Sequence, residues 1–184
     1  IQLVDEALRR LDEPICGIST KSRARPIPQL LSLALQIQWL PFDPQRLLDF
    51  LMHPQCPIIW ALRNRLAEAL INEPGVGGRT WNRAIERARE SLTERYSDDP
   101  EKLTATLLRI DADIEEWLAM PGLDPAGADS GRLVRVAQRL GQWANGRAQT
   151  AVEEAAAFAQ LNALASEFAE IIQEQPTSTR AGVE

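Results

Sequence analysis

The residues best suited to chemistry in this chain form a glycine-rich turn with basic residues directly behind it. The set comprises Gly75, Gly77, Gly78, Arg79, Thr80 and Arg83. Glycines let successive backbone N–H groups converge, because no Cβ stands in the way. A helix that begins behind the turn adds the unpaired N–H groups and partial positive charge of its N-terminus, which suit a phosphate. We therefore expect this set to form a phosphate-sized anion site, whose contacts with a nucleic-acid backbone would not read base sequence.

The turn lies between two apolar helical segments within residues 70–85. Its Pro-Gly-Val-Gly order is similar to the helix-hairpin-helix pattern, although Trp81 stands where that pattern has a small residue. The alternative is a structural glycine loop that ends one helix and lets the next begin. A Walker loop is excluded, because no Gly-Lys-Ser or Gly-Lys-Thr follows.

Other residue types used in catalysis are scarce. Two cysteines, Cys16 and Cys56, and a single histidine, His53, cannot form a disulfide framework or a four-ligand zinc site. Spacing alone does not make His53 and Cys56 a nucleophilic pair, and we interpret His53 as a histidine at a helix end. We expect no catalytic residue, no metal site and no cofactor here, so the chain itself is not expected to be an enzyme.

Two further groups of residues are interpreted as structural. Four acids could be mistaken for a metal cluster, but they lie mostly opposite an apolar seam, and we expect a solvated acidic face. They are Asp111, Asp113, Glu115 and Glu116. Five tryptophans all fall on helical segments, where packing in the core is the default expectation. They are Trp39, Trp60, Trp81, Trp117 and Trp143.

Composition indicates a folded domain with an uneven charge distribution. Of 184 residues, 45% are hydrophobic and 25% charged, the balance of a folded soluble domain. No run of about 18 uncharged apolar residues occurs, so we expect no membrane partner. The net charge of −6 conceals two basic islands. Residues 58–97 carry seven bases and five acids (+2), and residues 131–148 carry four bases and no acid (+4).

The second island permits two interpretations. Its four arginines fall within about a third of a helix circumference, with Trp143 among them. They are Arg132, Arg135, Arg139 and Arg147. This stripe could hold a phosphate backbone and stack a base. Alternatively, the arginines lie over Trp143 and pair with neighbouring acidic helices. The excess of acids in the adjoining segments favours the second interpretation.

Hydrophobic periodicity predicts helices almost throughout, hence an all-α multi-helix bundle with a glycine hairpin at 74–78. Asp43-Pro44 and Asp99-Pro100 are helix start signals. At most one short strand is expected, near residues 15–19. Asn145-Gly146 either turns two helices into a hairpin or lies inside one long helix.

We divide the chain into four parts. Residues 1–25 hold an N-terminal helix and the short strand, and lead in from a missing domain. Residues 26–120 form a helical accessory domain, residues 130–175 a helical hairpin or long helix packed on it, and residues 176–184 a frayed tail. Because the chain opens at Ile1 without methionine and the strand lacks a partner, we expect a piece of a longer polypeptide.

Residues 3–58 resemble part of an AddB- or RecB-like helicase-nuclease, a protein of the PD-(D/E)XK nuclease family related to superfamily 1 helicases. The matching order is LVDEALRRL at 3–11, SRARP at 22–26, QLL at 29–31, PFDP at 41–44 and LLDFL at 47–51, followed by Pro54. In the helicase relatives, a short helix and a strand precede an arginine and proline, an apolar helix, and a leucine-rich helix that ends at a proline. That passage leads into a helical accessory subdomain whose glycine hairpin touches duplex DNA.

The resemblance implies a non-catalytic accessory domain that acts in bacterial double-strand break repair and recombination, in the cytoplasm. Its implied partners are the DNA backbone and other domains of the parent protein or a partner subunit. The ATP-binding loop, the acidic helicase motif and the nuclease constellation are absent from these 184 residues. Any catalysis by the parent would therefore lie elsewhere. The alternative function is a helical protein–protein interaction domain that never touches DNA.

Overall fold

A computed structural model describes residues 27–119, 123, 128–174 and 177–178. Within these residues the chain forms seven α-helices, a π-helical turn that extends the fifth helix, and a 3-10 turn that joins the last two. The α-helices are α1 Gln29–Gln36, α2 Pro44–Met52, α3 Trp60–Asn72, α4 Arg79–Arg95, α5 Pro100–Asp113, α6 Ser130–Thr150 and α7 Ala155–Gln173. The π-helical turn is Ile114–Leu118, and the 3-10 turn is Val152–Glu154. The predicted all-α bundle is confirmed.

Two short pairings of extended backbone join distant parts of the helical fold. Ala128–Asp129 (β1) pairs antiparallel with Thr177–Ser178 (β2). Trp39 forms a parallel bridge with Leu123. The sequence predicted neither pairing, because two residues are too few to display the alternation of a strand. The strand predicted near residues 15–19, like all of residues 1–25, lies outside the described residues.

Aspartates cap the starts of α2 and α5, as the sequence predicted. Asp43 accepts hydrogen bonds from the backbone N–H groups of Gln45 (2.9 Å) and Arg46 (3.3 Å). Asp99 accepts one from the N–H of Lys102 (3.0 Å). A proline follows each cap, at a position where a helix needs no N–H donor. Each cap contributes about 1 kcal/mol to the stability of its helix start.

Helices α6 and α7 form an antiparallel hairpin. Gly141 lets them approach closely, since a Cβ there would lie 3.0 Å from Asn162 Oδ1 and 3.5 Å from Ala165 Cβ. The chain reverses at Val152–Glu154, so Asn145-Gly146 lies inside α6. Large side chains that are fully buried come from several helices and make one continuous core. Among them are Phe50, Leu62, Leu66, Ile110, Leu133, Leu140, Phe158 and Leu161.

A buried carboxylate ties the end of α5 to the start of α3. Asp113 is 0% exposed, and one of its oxygens accepts a hydrogen bond from the N–H of Ile59 (2.7 Å). Its other oxygen accepts one from Arg109 Nε (2.7 Å), and Arg109 also donates to the carbonyl of Pro57 (3.0 Å). Ile59 is the N-cap residue of α3 and has no oxygen in its side chain. Asp113 therefore supplies from another helix the acceptor for the N-cap N–H, which the third helical residue provides in a capping box.

The prediction of a solvated acidic face is wrong for Asp113, which is buried, whereas Asp111 and Glu115 are exposed as predicted and Glu116 is partly exposed. Asp111 pairs with Arg89 of α4, and Glu116 accepts two hydrogen bonds from Arg139 of α6. These acids therefore attach α4 and α6 to α5 instead of facing solvent alone.

Asp113 was misjudged because its position on the helix is ambiguous. At about 100° per residue it lies about 60° from the buried Ile110, at the edge of the apolar seam. Such a position becomes buried only when partners satisfy the carboxylate. Those partners include Ile59, which is distant in sequence.

We expect Asp113→Ala to lower the free energy of unfolding by about 2 to 3 kcal/mol, since it leaves the part-buried N–H of Ile59 without its acceptor. Asp111→Ala is the matched control on the same helix. It removes a half-exposed ion pair, and its cost should stay below about 1 kcal/mol. Urea unfolding of the three proteins measures both values. Equal losses would show that Asp113 does not cap α3.

Because Asp113 is buried, we expect its contribution to the stability of the protein to depend on pH. Desolvation by burial raises the pKa of Asp113, while the hydrogen bond from Ile59 and the charge of Arg109 oppose the rise. Because the pKa is higher in the folded state, the contribution of Asp113 is greatest below the unfolded pKa of about 3.9 and declines as the pH rises through the folded pKa. The stability of wild type relative to Asp113→Asn should therefore fall from about pH 4 upward. Urea unfolding at several pH values tests this, and a difference that grows with pH would contradict it.

Candidate nucleic-acid interface

The predicted glycine turn connects α3 to α4 as a helical hairpin. Gly77 has a φ of +76°, a left-handed conformation that side chains with a Cβ rarely adopt. Gly78 is the N-cap of α4 with φ −72° and ψ 176°, which any residue can adopt. A Cβ at Gly75, Gly77 or Gly78 would meet nothing within 4 Å. The turn is therefore open to solvent, and backbone conformation requires glycine at Gly77.

Thr80 is engaged inside the hairpin. Its hydroxyl donates to the carboxylate of Glu73, the residue that ends α3. Asn82 Nδ2 donates to the carbonyl of Gly77 (3.2 Å), which also holds the turn. A phosphate at the turn would therefore meet the negative charge of Glu73. This places the more favourable positions for an anion further along α4.

A row of free arginines follows the turn. Arg79, Arg83 and Arg87 recur every four residues of α4 and are all exposed. Within the described residues, none of the three makes an ion pair. Their charges are therefore available to an anionic partner.

Of these arginines, Arg83 and Arg87 border a shallow groove between α3 and α4, with a volume of about 120 Å³ beside the turn. Its lining residues are Arg65, Glu68, Ala69, Asn72, Thr80, Arg83, Ala84 and Arg87. Arg65 and Glu68 pair at 3.5 Å, so three bases and one acid give this lining a net charge of +2. Glu86 and Glu90 of α4 lie outside the lining.

The groove continues to the first residue of α3. A second stretch shares Arg65 and Glu68 with the first and ends at Trp60. It is lined by Trp60, Ala61, Asn64, Arg65, Glu68 and Ser91. We call the two stretches together the α3–α4 groove; it follows α3 for about 18 Å at 1.5 Å per residue.

Trp60 is 64% exposed, so the expectation that it packs in the core is wrong. Trp39, Trp81 and Trp117 are buried as expected, and Trp143 is half-buried. Sequence reasoning also missed Arg65 and Arg87 as groove residues. The groove residues do recur at helical spacing, at 61, 65, 68 and 72 on α3 and at 80, 84, 87 and 91 on α4. This spacing places each set on one face of its helix, but only the packing of the helices shows that the two faces meet.

The second basic island is occupied mostly by structural contacts. Arg132 donates two hydrogen bonds to the buried Gln38 (3.0 and 2.8 Å) and one to the carbonyl of Ala119 (2.7 Å). Desolvation by burial lowers the pKa of Arg132, and the nearby charge of Arg135 adds to that effect. Arg139 is paired with Glu116, as described above.

Arg147 and Trp143 of that island also make contacts inside the fold, whereas Arg135 is exposed. Arg147 lies over the Phe158 ring, 5.5 Å from its centroid, and the Trp143 ring meets Phe158 edge-on at 5.5 Å. The predicted pairing with a neighbouring acidic helix is therefore confirmed for Arg139, whereas Arg132 contacts Gln38 and Arg147 lies over Phe158 instead of Trp143. Arg135 is exposed and makes no ion pair within the described part of the chain.

His53 and Cys56 lie where α2 ends. His53 is the buried C-cap residue of α2, as predicted, and its Nδ1 accepts a hydrogen bond from the N–H of Gln55 (3.1 Å). Burial raises the pKa of the Cys56 thiol to about 11, so little of the reactive thiolate exists at neutral pH.

In the ranges that the structure describes, no three His, Cys, Asp or Glu side chains are grouped to hold a metal ion. No helix there is both long and apolar enough to cross a membrane.

Comparisons of the chain with protein-family models, curated proteins and solved structures gave no significant match.

The glycine turn permits a matched test. We expect Gly77→Ala to lower the free energy of unfolding by about 1 to 2 kcal/mol, since alanine must adopt a left-handed backbone conformation. Gly78→Ala fits both the backbone and the open space, and should cost only about 0.5 kcal/mol, because alanine is a poorer N-cap residue than glycine. Thermal or urea unfolding distinguishes the two. Equal effects would show that the positive φ of Gly77 is not required by the turn.

Proposed function

We propose that this chain is a non-catalytic helical domain that binds the phosphate backbone of DNA along the α3–α4 groove. We further propose that it is the accessory domain of a cytoplasmic AddB/RecB-like helicase-nuclease that acts in double-strand break repair and recombination. The observation that carries the DNA contact is the row of exposed, unpaired arginines at Arg79, Arg83 and Arg87. It lies beside a groove of net charge +2 on a chain of net charge −6.

Guanidinium groups suit this role because their planar array of donors matches two phosphate oxygens at once. Contacts of this kind release counterions and are independent of base sequence. The glycine turn would contribute by fixing where α4 begins relative to α3. In this proposal Gly75, Gly77 and Gly78 shape the site, while Arg83 and Arg87 supply most of the charge.

The assignment to a helicase-nuclease is supported by the order of motifs in residues 3–58. In the described part of that stretch, α1 follows a proline-rich entry, and the leucine-rich α2 ends just before Pro54. This order is consistent with the passage that leads into the accessory subdomain of the helicase relatives. The hairpin at 74–78 then corresponds to their DNA-contacting hairpin.

One observation favours a protein partner as a second candidate function. Leu164 and Ile171, two helical turns apart on α7, are 37% and 53% exposed. Residues seven apart lie on the same face of a helix. This face could pack on another domain of the parent protein or on a partner subunit, with or without DNA in the groove.

Salt-dependent binding of a fluorescently labelled DNA duplex tests the proposed DNA contact. Affinity should fall steeply between about 50 and 200 mM salt. Arg83→Glu/Arg87→Glu should weaken binding at least tenfold and reduce the magnitude of the log–log salt slope by about 2, one unit for each lost phosphate contact. Fluorescence anisotropy measures both quantities.

Arg46→Glu/Arg135→Glu is the matched control. It makes the same change in net charge at two exposed arginines outside the groove. We expect it to retain most of the wild-type affinity. If both double variants bind as the wild type does, or if both lose affinity equally, the α3–α4 groove is not the DNA site.

A further inference from the structure

Trp60 is a large aromatic side chain that the fold leaves uncovered. It is the first residue of α3, and 64% of its surface is exposed. The preceding residue, Ile59, is held by the carboxylate of Asp113, so the backbone beneath Trp60 is fixed. A fixed backbone lowers the conformational entropy that an indole would lose on binding a flat partner.

The indole lies at the end of the α3–α4 groove opposite the glycine turn. Arg65 lines both stretches of the groove and connects Trp60 to the positions of Arg83 and Arg87. Cationic and aromatic groups therefore lie along one track. Their order resembles a stacking platform beside an electrostatic channel, the combination by which single-stranded nucleic acid is held without sequence preference.

The chemistry distinguishes between paired and unpaired DNA. Phosphates are accessible on both, but the faces of bases inside a duplex are already covered by their neighbours. An indole can stack only on a base whose face is free, as in a single strand. Arginines alone would not make this distinction, because backbone contacts carry no information about the bases.

We propose that the α3–α4 groove prefers single-stranded DNA, with Trp60 stacking on an unpaired base at one end while Arg65, Arg83 and Arg87 contact the phosphates that follow along the groove. This inference rests on the proposed backbone binding and adds to it the identity of the strand and the residue that recognises it. Since any base presents a flat face, the preference is for unpaired bases and not for a particular sequence.

Three probes of equal length separate the contributions of bases and phosphates. They are a twelve-residue oligothymidylate, an abasic strand with the same number of phosphates, and a blunt duplex of twelve base pairs. Wild type should bind the oligothymidylate about 5- to 150-fold more tightly than the abasic strand, the range expected for stacking of one base. Binding should also quench the tryptophan emission, because Trp60 is the most exposed of the described indoles.

Two variants assign the effect to the indole. Trp60→Leu should bind the oligothymidylate no better than the abasic strand, while its affinity for the abasic strand stays at the wild-type value. Trp60→Phe retains a flat ring and should restore most of the preference. Unfolding curves that match the wild type verify that the exposed substitution leaves the fold intact.

The outcomes separate this inference from the proposed function. Steep, salt-dependent binding of all three probes without preference, unchanged in Trp60→Leu, would overturn the stacking proposal and leave backbone binding standing. Equal weakening of the oligothymidylate and the abasic strand in Trp60→Leu would overturn it as well, since Trp60 would then act only on the shape of the groove. Absence of salt-dependent binding to every probe would overturn the proposed function and this inference together.

Discussion

The α3–α4 groove depends on the carboxylate of Asp113, which holds the start of α3 against the end of α5. A helix start exposes N–H groups that must find acceptors, and the start of α3 carries no capping side chain of its own. Asp113 accepts a hydrogen bond from the N–H of Ile59, and Arg109 donates one to the carbonyl of Pro57. The direction in which α3 leaves the core, and with it the position of Trp60, follows from this contact.

The second organising principle is the division of arginines between structural and free roles. Acids of α5 and its π-helical turn pair with Arg89 and Arg139, which attaches α4 and α6 to the middle of the bundle. Among the described residues, no acid plays this part on the opposite side of α4, and Arg83 and Arg87 make no ion pair there. A chain with net charge −6 can therefore present a local surface of positive charge, because Arg65, Arg83 and Arg87 line the groove together with a single acid, Glu68.

Local signals were strong enough to predict much of the fold. Asp43 and Asp99, each followed by proline, identified two helix starts correctly because a cap acts within four residues of its own chain. The glycine turn was also located correctly. The burial of Asp113 and the exposure of Trp60 were predicted wrongly. A periodic pattern shows which residues share a face of a helix, but not which other element packs against that face. The pairings of β1 with β2 and of Trp39 with Leu123 were missed for the same reason.

The sequence by itself determined the helices, their caps, the open glycine turn and the positions of the basic islands, because each of these depends on neighbours within one or two helical turns. Tertiary structure alone decided which basic residues are free. It bonded Arg132 to Gln38, paired Arg139 with Glu116, and left Arg83 and Arg87 beside Arg65 in a groove that ends at Trp60. The physical reason is that the availability of a charge or an aromatic ring depends on what packs against it. That is set by contacts between residues far apart in the chain, which no local pattern contains.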